Sequence, residues 1–279
     1  MSDEASSAAG RAQADRVAEF HRLHEAGTFV MPNPWDAGSA VVLQHMGFPA
    51  LASTSAGAAW AHGRPDNGLD LGRMLDHLRG LTASVTVPLN ADFEGGFAVD
   101  PEDVADHVTL AVDTGIAGLS IEDSTRDAEH PLFDFSLAVE RVAAARQAID
   151  DTGSGVLLTA RTEGYVVGRP DLDETVRRLQ AFAEAGADCL YAPRITTTEE
   201  ITAVVAAAGS KPVNLLVNAP FITVAEAADL GVRRISVGGT MARAAWGGWL
   251  AAARELADSG TVTHFQDLPD VDGLLRAND

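Results

Sequence analysis

Four segments of this 279-residue chain share one local grammar: a helix-like stretch ends in glycine, and an apolar strand follows within a few residues. They are Met46-Gly47-Phe48-Pro49-Ala50-Leu51, Thr114-Gly115-Ile116-Ala117-Gly118-Leu119, Ala185-Gly186-Ala187-Asp188-Cys189-Leu190 and Leu230-Gly231-Val232-Arg233-Arg234-Ile235. Glycine just past a helix permits the left-handed cap, and the short link returns the chain to a sheet. Repeated returns of this kind constrain the chain to an α/β architecture with parallel strands.

Candidate strands lie at Thr28–Met31, Ala50–Ser53, Val85–Asn90, Gly118–Glu122, Gly155–Ala160, Asp188–Ala192, Pro212–Val217 and Arg234–Val237. The helices between them carry apolar stripes, such as Leu71, Met74, Leu75 and Leu78, or Ile201, Val204, Val205 and Ala208. Asp70, Asp100 before Pro101, Ser136, Asp171 and the box Thr223-Val224-Ala225-Glu226 mark helix starts. About eight strands alternating with helices fit a (β/α)8 TIM-type barrel better than a doubly wound sheet, and no G-x-G-x-x-G follows the first strand. The expected organisation is an N-terminal helix or arm over 1–27, a barrel over 28–258 and a C-terminal tail over 259–279 that packs on a neighbouring subunit.

Forty acidic residues against twenty Lys plus Arg give a formal charge of −20, which argues against nucleic acid or an anionic membrane as partner. An anionic substrate then needs local compensation from an arginine or a metal. Cys189 is the single cysteine, which excludes a disulfide framework and a cysteine-based zinc site. Met1 to Gly10 lacks the basic start and apolar core of a signal peptide, and no apolar run reaches the ~20 residues of a membrane span. The chain reads as cytoplasmic, and a homo-oligomer, tetramer or dimer, is expected.

In a barrel the carboxyl ends of the strands converge on one face. Read in order, those ends carry Asn33 and Asp36, Ser53-Thr54-Ser55, Asn90, Asp92 and Glu94, Glu122 and Asp123, Arg161 and Glu163, Arg194, Asn214 and Asn218, then Gly238 and Gly239. The run Val85-Thr86-Val87-Pro88-Leu89 reads as a buried strand that stops at the acidic, glycine-rich loop Asn90 to Gly96. Carboxylates beside glycines suit a hard cation such as Mg²⁺. Arg161, at the end of Val156-Leu157-Leu158-Thr159-Ala160, brings a planar fork suited to a substrate carboxylate or to a salt bridge with Glu163 or Glu122. His21, His24, His45, His62, His77, His107 and His264 lack metal-ligand spacing and read as structural or solvated.

The stretches Asn33-Pro34-Trp35-Asp36-Ala37-Gly38-Ser39-Ala40, Ser53-Thr54-Ser55 leading to Gly63-Arg64-Pro65-Asp66, Asn90-Ala91-Asp92, Ser120-Ile121-Glu122-Asp123, Ala160-Arg161-Thr162-Glu163 and Glu184-Ala185-Gly186-Ala187-Asp188 occur in one order over three-quarters of the chain. In this the chain resembles the phosphoenolpyruvate mutase/isocitrate lyase superfamily. The resemblance implies an enzyme dependent on Mg²⁺, or Mn²⁺, that acts on a small 2-oxo or 2-hydroxy carboxylate through an enolate. It assigns Asp92 and Glu122 to the metal, with Asn90 standing where the first acid of a D-x-D motif usually lies. It also assigns Arg161, Thr54, Ser55, Asn90 and Asn214 to the substrate, and Asp66, Glu122 and Arg161 to the reacting end. Asp123 and Glu94 read as solvated or supporting acids.

One stretch departs from the pattern. Ser124-Thr125-Arg126-Asp127-Ala128-Glu129-His130-Pro131 stands where isocitrate-type lyases carry a K-K-C-G-H loop whose cysteine is the general acid. Ordinary isocitrate-type cleavage is therefore not expected, and His130 is the substitute proton donor from a closing lid. The leading expectation is a metal-dependent lyase or decarboxylase. Carbon–phosphorus chemistry of phosphonopyruvate type and a non-catalytic metabolite-binding barrel remain as alternatives.

Overall fold

The four glycines that close a helix before a strand all adopt positive φ: 88° at Gly47, 87° at Gly115, 103° at Gly186 and 87° at Gly231. A side chain at these positions would be strained, so the return to the sheet depends on glycine. The architecture they punctuate is seen in a computed structural model, which describes residues 2–276, with side chains from residue 10 onward.

The elements alternate as expected. They run α1 (Ser2–Glu25), β1 (Phe29–Met31), α2 (Ala37–His45), β2 (Leu51–Ala52), α3 (Ser55–Ala61), α4 (Leu71–Ser84), β3 (Leu89–Asp92), α5 (Pro101–Val112), β4 (Gly118–Glu122) and α6 (Phe135–Thr152). Then come β5 (Leu157–Arg161), α7 (Leu172–Glu184), β6 (Cys189–Tyr191), α8 (Thr198–Ala208), β7 (Val213–Leu216), α9 (Val224–Asp229), β8 (Arg234–Ser236), α10 (Thr240–Ser259) and α11 (Val271–Arg276). All eight strands are parallel and pair in the order β1-β8-β7-β6-β5-β4-β3-β2. The two ends of that order meet where the Ala52 amide donates to the Pro32 carbonyl at 3.0 Å, giving a nearly closed (β/α)8 barrel.

The third strand begins later than the β-branched run predicts. Helix α4 ends at Ser84, and the amides of Thr86 and Val87 donate to the side-chain oxygen of Gln44, at 2.7 and 3.2 Å, instead of entering the sheet. Pro88 has no amide to offer, so pairing starts at Leu89. Strand β3 therefore extends through Asp92, which stands on the last residue of the strand rather than in the loop after it.

Helix α1 closes the bottom of the barrel. The Gln13 side chain donates to the carbonyls of Val112 and Ile116 at 2.8 and 3.0 Å, and Phe20 is fully buried against the first residue of β4. A Cβ at Gly118 would lie 2.6 Å from the Phe20 ring and 2.8 Å from Asn90 Oδ1, so only glycine fits there. At the other end of the chain, the exposed rings of Trp246 and Trp249 on α10 meet edge to face at 5.0 Å, and α11 lies on α2, with the Leu274 carbonyl 3.1 Å from His45 Nδ1.

Two half-buried histidines carry a pH dependence. Burial pushes His77 down to about 4, with Nε2 buried and without a hydrogen-bond partner, and pushes His24 down to about 3, helped by the neighbouring Arg234. Both stay neutral in the fold while the unfolded chain takes up protons, so stability falls as pH drops below the ordinary value of 6.5. In thermal melts the wild type should lose several degrees between pH 7 and pH 5, and His77→Gln should lose measurably less. Equal losses in both would exclude His77 as a source. By steric crowding of the floor, Gly118→Ala should cost roughly 1–3 kcal/mol in chemical denaturation.

Candidate active site

Polar residues gather at the carboxyl end of the barrel around a cavity of about 280 Å³. Its wall includes Asn33, Thr54, Ser55, Asp66, Asn90 and Asp92 from the first half of the chain, and Arg161, Tyr191, Arg194, Asn214, Arg234 and Arg243 from the second. At its centre Arg161, last residue of β5, faces three acids. Nη1 lies 3.2 Å from Asp92 Oδ1 and 3.4 Å from Glu122 Oε2, and Nε donates to Glu163. Strand register makes the second of these contacts unavoidable, since Glu122 and Arg161 are direct partners across β4 and β5. With Nε and Nη1 engaged, Nη2 makes no hydrogen bond among the described residues.

Each acid is held from behind. Asp92 Oδ2 accepts from the Ser55 amide at 3.0 Å and from the Ser55 hydroxyl at 2.8 Å, while the Ser53 hydroxyl accepts from the Asp92 amide at 2.8 Å. Thr54 caps α3 by accepting from the Gly57 amide. Asp123 is buried at 2% exposure, so of its two expected readings, solvated or supporting, the structure sets aside the solvated one. It accepts from the Glu163 amide at 2.8 Å, from the Thr162 hydroxyl at 2.8 Å and from Arg178 Nη1 at 3.1 Å, which fixes the loop that carries Glu163. Glu94 is likewise buried, pairs with Arg126, and keeps Oε1 without a partner.

Burial of so many charges moves their proton affinities. Burial pulls Arg161 down, but Glu163, Glu122 and Asp92 together outweigh it and hold the guanidinium well above its usual range. Burial pushes Glu122 well up despite Arg161, and Glu163 up as well. Glu94 rises to about 7 for the same reason. Asp66 lies on an exposed loop, yet loss of water around its carboxyl and the nearby Asp92 charge raise it. Burial pushes Tyr191 up to about 12, so its phenol remains neutral 5.3 Å from the Arg161 guanidinium.

The structure brings Asp66, Thr54, Ser55, Asn90, Asp92, Arg161 and Asn214 to one cavity. Glu122 reaches it through its contact with Arg161 rather than lining it. His130 is exposed on the β4–α6 loop, outside the cavity wall. Ser55 spends both its amide and its hydroxyl on Asp92, so it orients that acid. Sequence reasoning passed over Arg234, Tyr191, Arg243 and the buried Arg178. A signal for Arg234 was present, since it is a cation inside the otherwise apolar run Val232 to Val237.

The chain matches the phosphoenolpyruvate phosphomutase family over residues 20–257 and belongs to the phosphoenolpyruvate mutase/isocitrate lyase superfamily. Among solved structures, a Burkholderia cenocepacia J2315 protein provisionally assigned as a lyase or mutase is 46% identical, with a TM-score of 0.92 over 96% of this chain and 99% of that one. The structure of 2,3-dimethylmalate lyase, a member of the same superfamily, is 28% identical, with a TM-score of 0.83 over 94% of each chain. Oxaloacetate acetylhydrolase bound to its product oxalate is 27% identical, with a TM-score of 0.82 over 95% of this chain and 96% of that one. The superfamily thus spans lyases and mutases.

The support behind Glu163 gives a direct test. Asp123→Asn removes the buried acid that accepts from the Glu163 amide and from Arg178 Nη1, while Arg178 keeps Glu174 at 2.7 Å, so the cost is that of charge-assisted hydrogen bonds, about 1.5–3 kcal/mol. Chemical denaturation should show a loss of that order, and a loss under ~1 kcal/mol would mean that Arg178 finds compensation elsewhere.

Proposed function

We propose that the chain is a metal-dependent carbon–carbon lyase of decarboxylase type, acting on a small 2-oxo or 2-hydroxy carboxylate through an enolate. The observation that carries this reading is Nη2 of Arg161, without a hydrogen bond among the described residues, beside Asp92 at the barrel mouth. Nη2 can donate a charge-assisted hydrogen bond to a substrate carboxylate oxygen, and three acids keep the guanidinium charged and fixed in direction.

The donor set suits Mg²⁺, or Mn²⁺. Among the described residues no three His, Cys, Asp or Glu side chains form a ready cage. Mg²⁺, however, is usually held by one or two carboxylates and keeps several waters. Asp92, with Glu122 behind it, supplies such oxygens, and the acids around Arg161 and Arg126 outnumber those two cations. The partnerless Glu94 Oε1 is a further sign of uncompensated acid beside the site. Bound there, the ion supplies positive charge where the enolate oxygen develops.

The chain's own residues do the rest. Arg161 binds and orients the substrate carboxylate, Ser55 holds Asp92 in direction, and Glu122 acts by fixing Arg161. Neutral Tyr191 walls the cavity and limits water around the developing charge. Asp66, at the cavity edge with a raised proton affinity, is placed to hold the proton that the enolate carbon takes up. His130 remains a candidate only for a conformation in which its loop closes.

A phosphonopyruvate-type reaction is the second reading, favoured by the phosphomutase description of the matching family. Incubation with Mg²⁺ and either oxaloacetate and substituted malates or phosphonopyruvate separates the two, since the first yields pyruvate, another 2-oxo acid or oxalate and the second yields phosphoenolpyruvate by rearrangement or phosphate by hydrolysis. Arg161→Gln and Asp92→Ala should each lower kcat/KM by roughly 10²–10³, the scale of removing one stabiliser of developing charge. Turnover that survives Asp92→Ala unchanged would sink the site assignment.

A further inference from the structure

Below Arg161 lies a second guanidinium of opposite character. Arg234, the first residue of β8, is 1% exposed and lines the same cavity. Its Nε donates to Asn214 Oδ1 at 2.9 Å and its Nη2 to Thr159 Oγ1 at 2.9 Å, while Nη1 lies 3.4 Å from both Asn90 Oδ1 and His24 Nε2. All four partners are uncharged, since His24 is neutral above about 3. Arg161 and Arg178 pair with carboxylates, while Arg141, which donates to the carbonyls of Gly95, Ala98 and Val99, lies outside the cavity and has the charges of Asp123 and Glu122 nearby. Arg234 makes no ion pair among the described residues. A guanidinium does not deprotonate in a protein, so this is a permanent charge held away from water without a counter-ion.

Its depth is set by the strands. Arg234 touches Asn90 on β3 and Thr159 on β5, each two residues before Asp92 and Arg161. At ~3.3 Å per residue, the two layers are roughly 7 Å apart along the strands, or about 5 Å along the axis of a barrel whose strands tilt by about 36°. Below Arg234 the ring of Phe20 closes the floor, 6.0 Å away, so an anion can approach only from the cavity side.

We propose that Arg234 is an anion anchor at the floor of the cavity, and that the ligand is a short dicarboxylate held end to end, one carboxylate on Arg161 and the other on Arg234. The amide at Asn90 then has a purpose. An acid there would lie against Nη1 and neutralise the guanidinium from within, leaving no charge for the ligand. Asn90, Asn214 and Thr159 orient the cation and leave its charge unspent.

This inference takes from the proposed function only the chemical class of the ligand, and its test requires neither metal nor turnover. Calorimetric titration of the full chain with malonate, and separately with acetate, reads the two ends apart. Wild type should bind malonate more tightly than acetate. Arg234→Gln should weaken malonate by ~10-fold or more, the scale of one charge-assisted contact, with acetate changed less than about twofold. Because a buried arginine can be needed for folding, Asn90→Asp is the second variant: it keeps the guanidinium, supplies a counter-charge 3.4 Å from Nη1, and should weaken malonate while raising the melting temperature or leaving it unchanged. Malonate affinity within twofold of wild type in Asn90→Asp overturns the proposal. So does displacement of malonate by equal concentrations of sulfate, which would make the floor a site for inorganic anions. If no substrate turns over and malonate still behaves as described, the lyase reading fails and the anchor stands.

Discussion

Burying a guanidinium among carboxylates is the constraint on which the upper half of this barrel depends. Ions taken out of water are costly unless their partners are close and themselves hydrogen-bonded. Arg161 meets that condition only because β4 and β5 pair in a register that sets Glu122 opposite it, Ser55 turns Asp92 toward it, and Asp123 pins the backbone of Glu163. Asp123 is stabilised in turn by Arg178 on α7. The network therefore ties strands to outer helices and leaves Nη2 of the Arg161 guanidinium without a hydrogen bond at the cavity wall.

The lower half of the barrel follows a different electrostatic rule. Its inner layer is amide, hydroxyl and one cation, where barrel interiors are usually filled by branched apolar side chains. In a chain of formal charge −20, the cavity wall carries four arginines, Arg161, Arg194, Arg234 and Arg243, against the two acids Asp66 and Asp92. A small anion that reaches the mouth would be drawn inward, past acids that a divalent cation can offset.

Much of this could be read from the residues. The four glycine returns predicted the alternation that the barrel shows, because positive φ is a local demand that leaves a local mark. Asp92 and Arg161 stood out because a charge at the end of an apolar strand has few other reasons to be there. The start of β3 was misread because Val85, Thr86 and Val87 look like strand, and only the distant Gln44 side chain reveals that their amides are spent elsewhere. Burial of Asp123 and Glu94 was hidden for a similar reason, since their partners Arg178 and Arg126 come from an outer helix and a loop. Arg234 was visible as a charge in a strand, but its lack of an acidic partner is a property of three-dimensional neighbours alone.

On the proposed reading, a 2-oxo acid and a divalent cation meet at Arg161 and Asp92. A crystal structure of the protein grown with oxalate and Mn²⁺, with anomalous data collected for the metal, tests it most directly. An oxalate carboxylate is expected on Nη2 of Arg161, with an anomalous peak next to Asp92. Oxalate and Mn²⁺ bound elsewhere, or both absent at millimolar concentration with Arg161 still enclosed by its three acids, would contradict it.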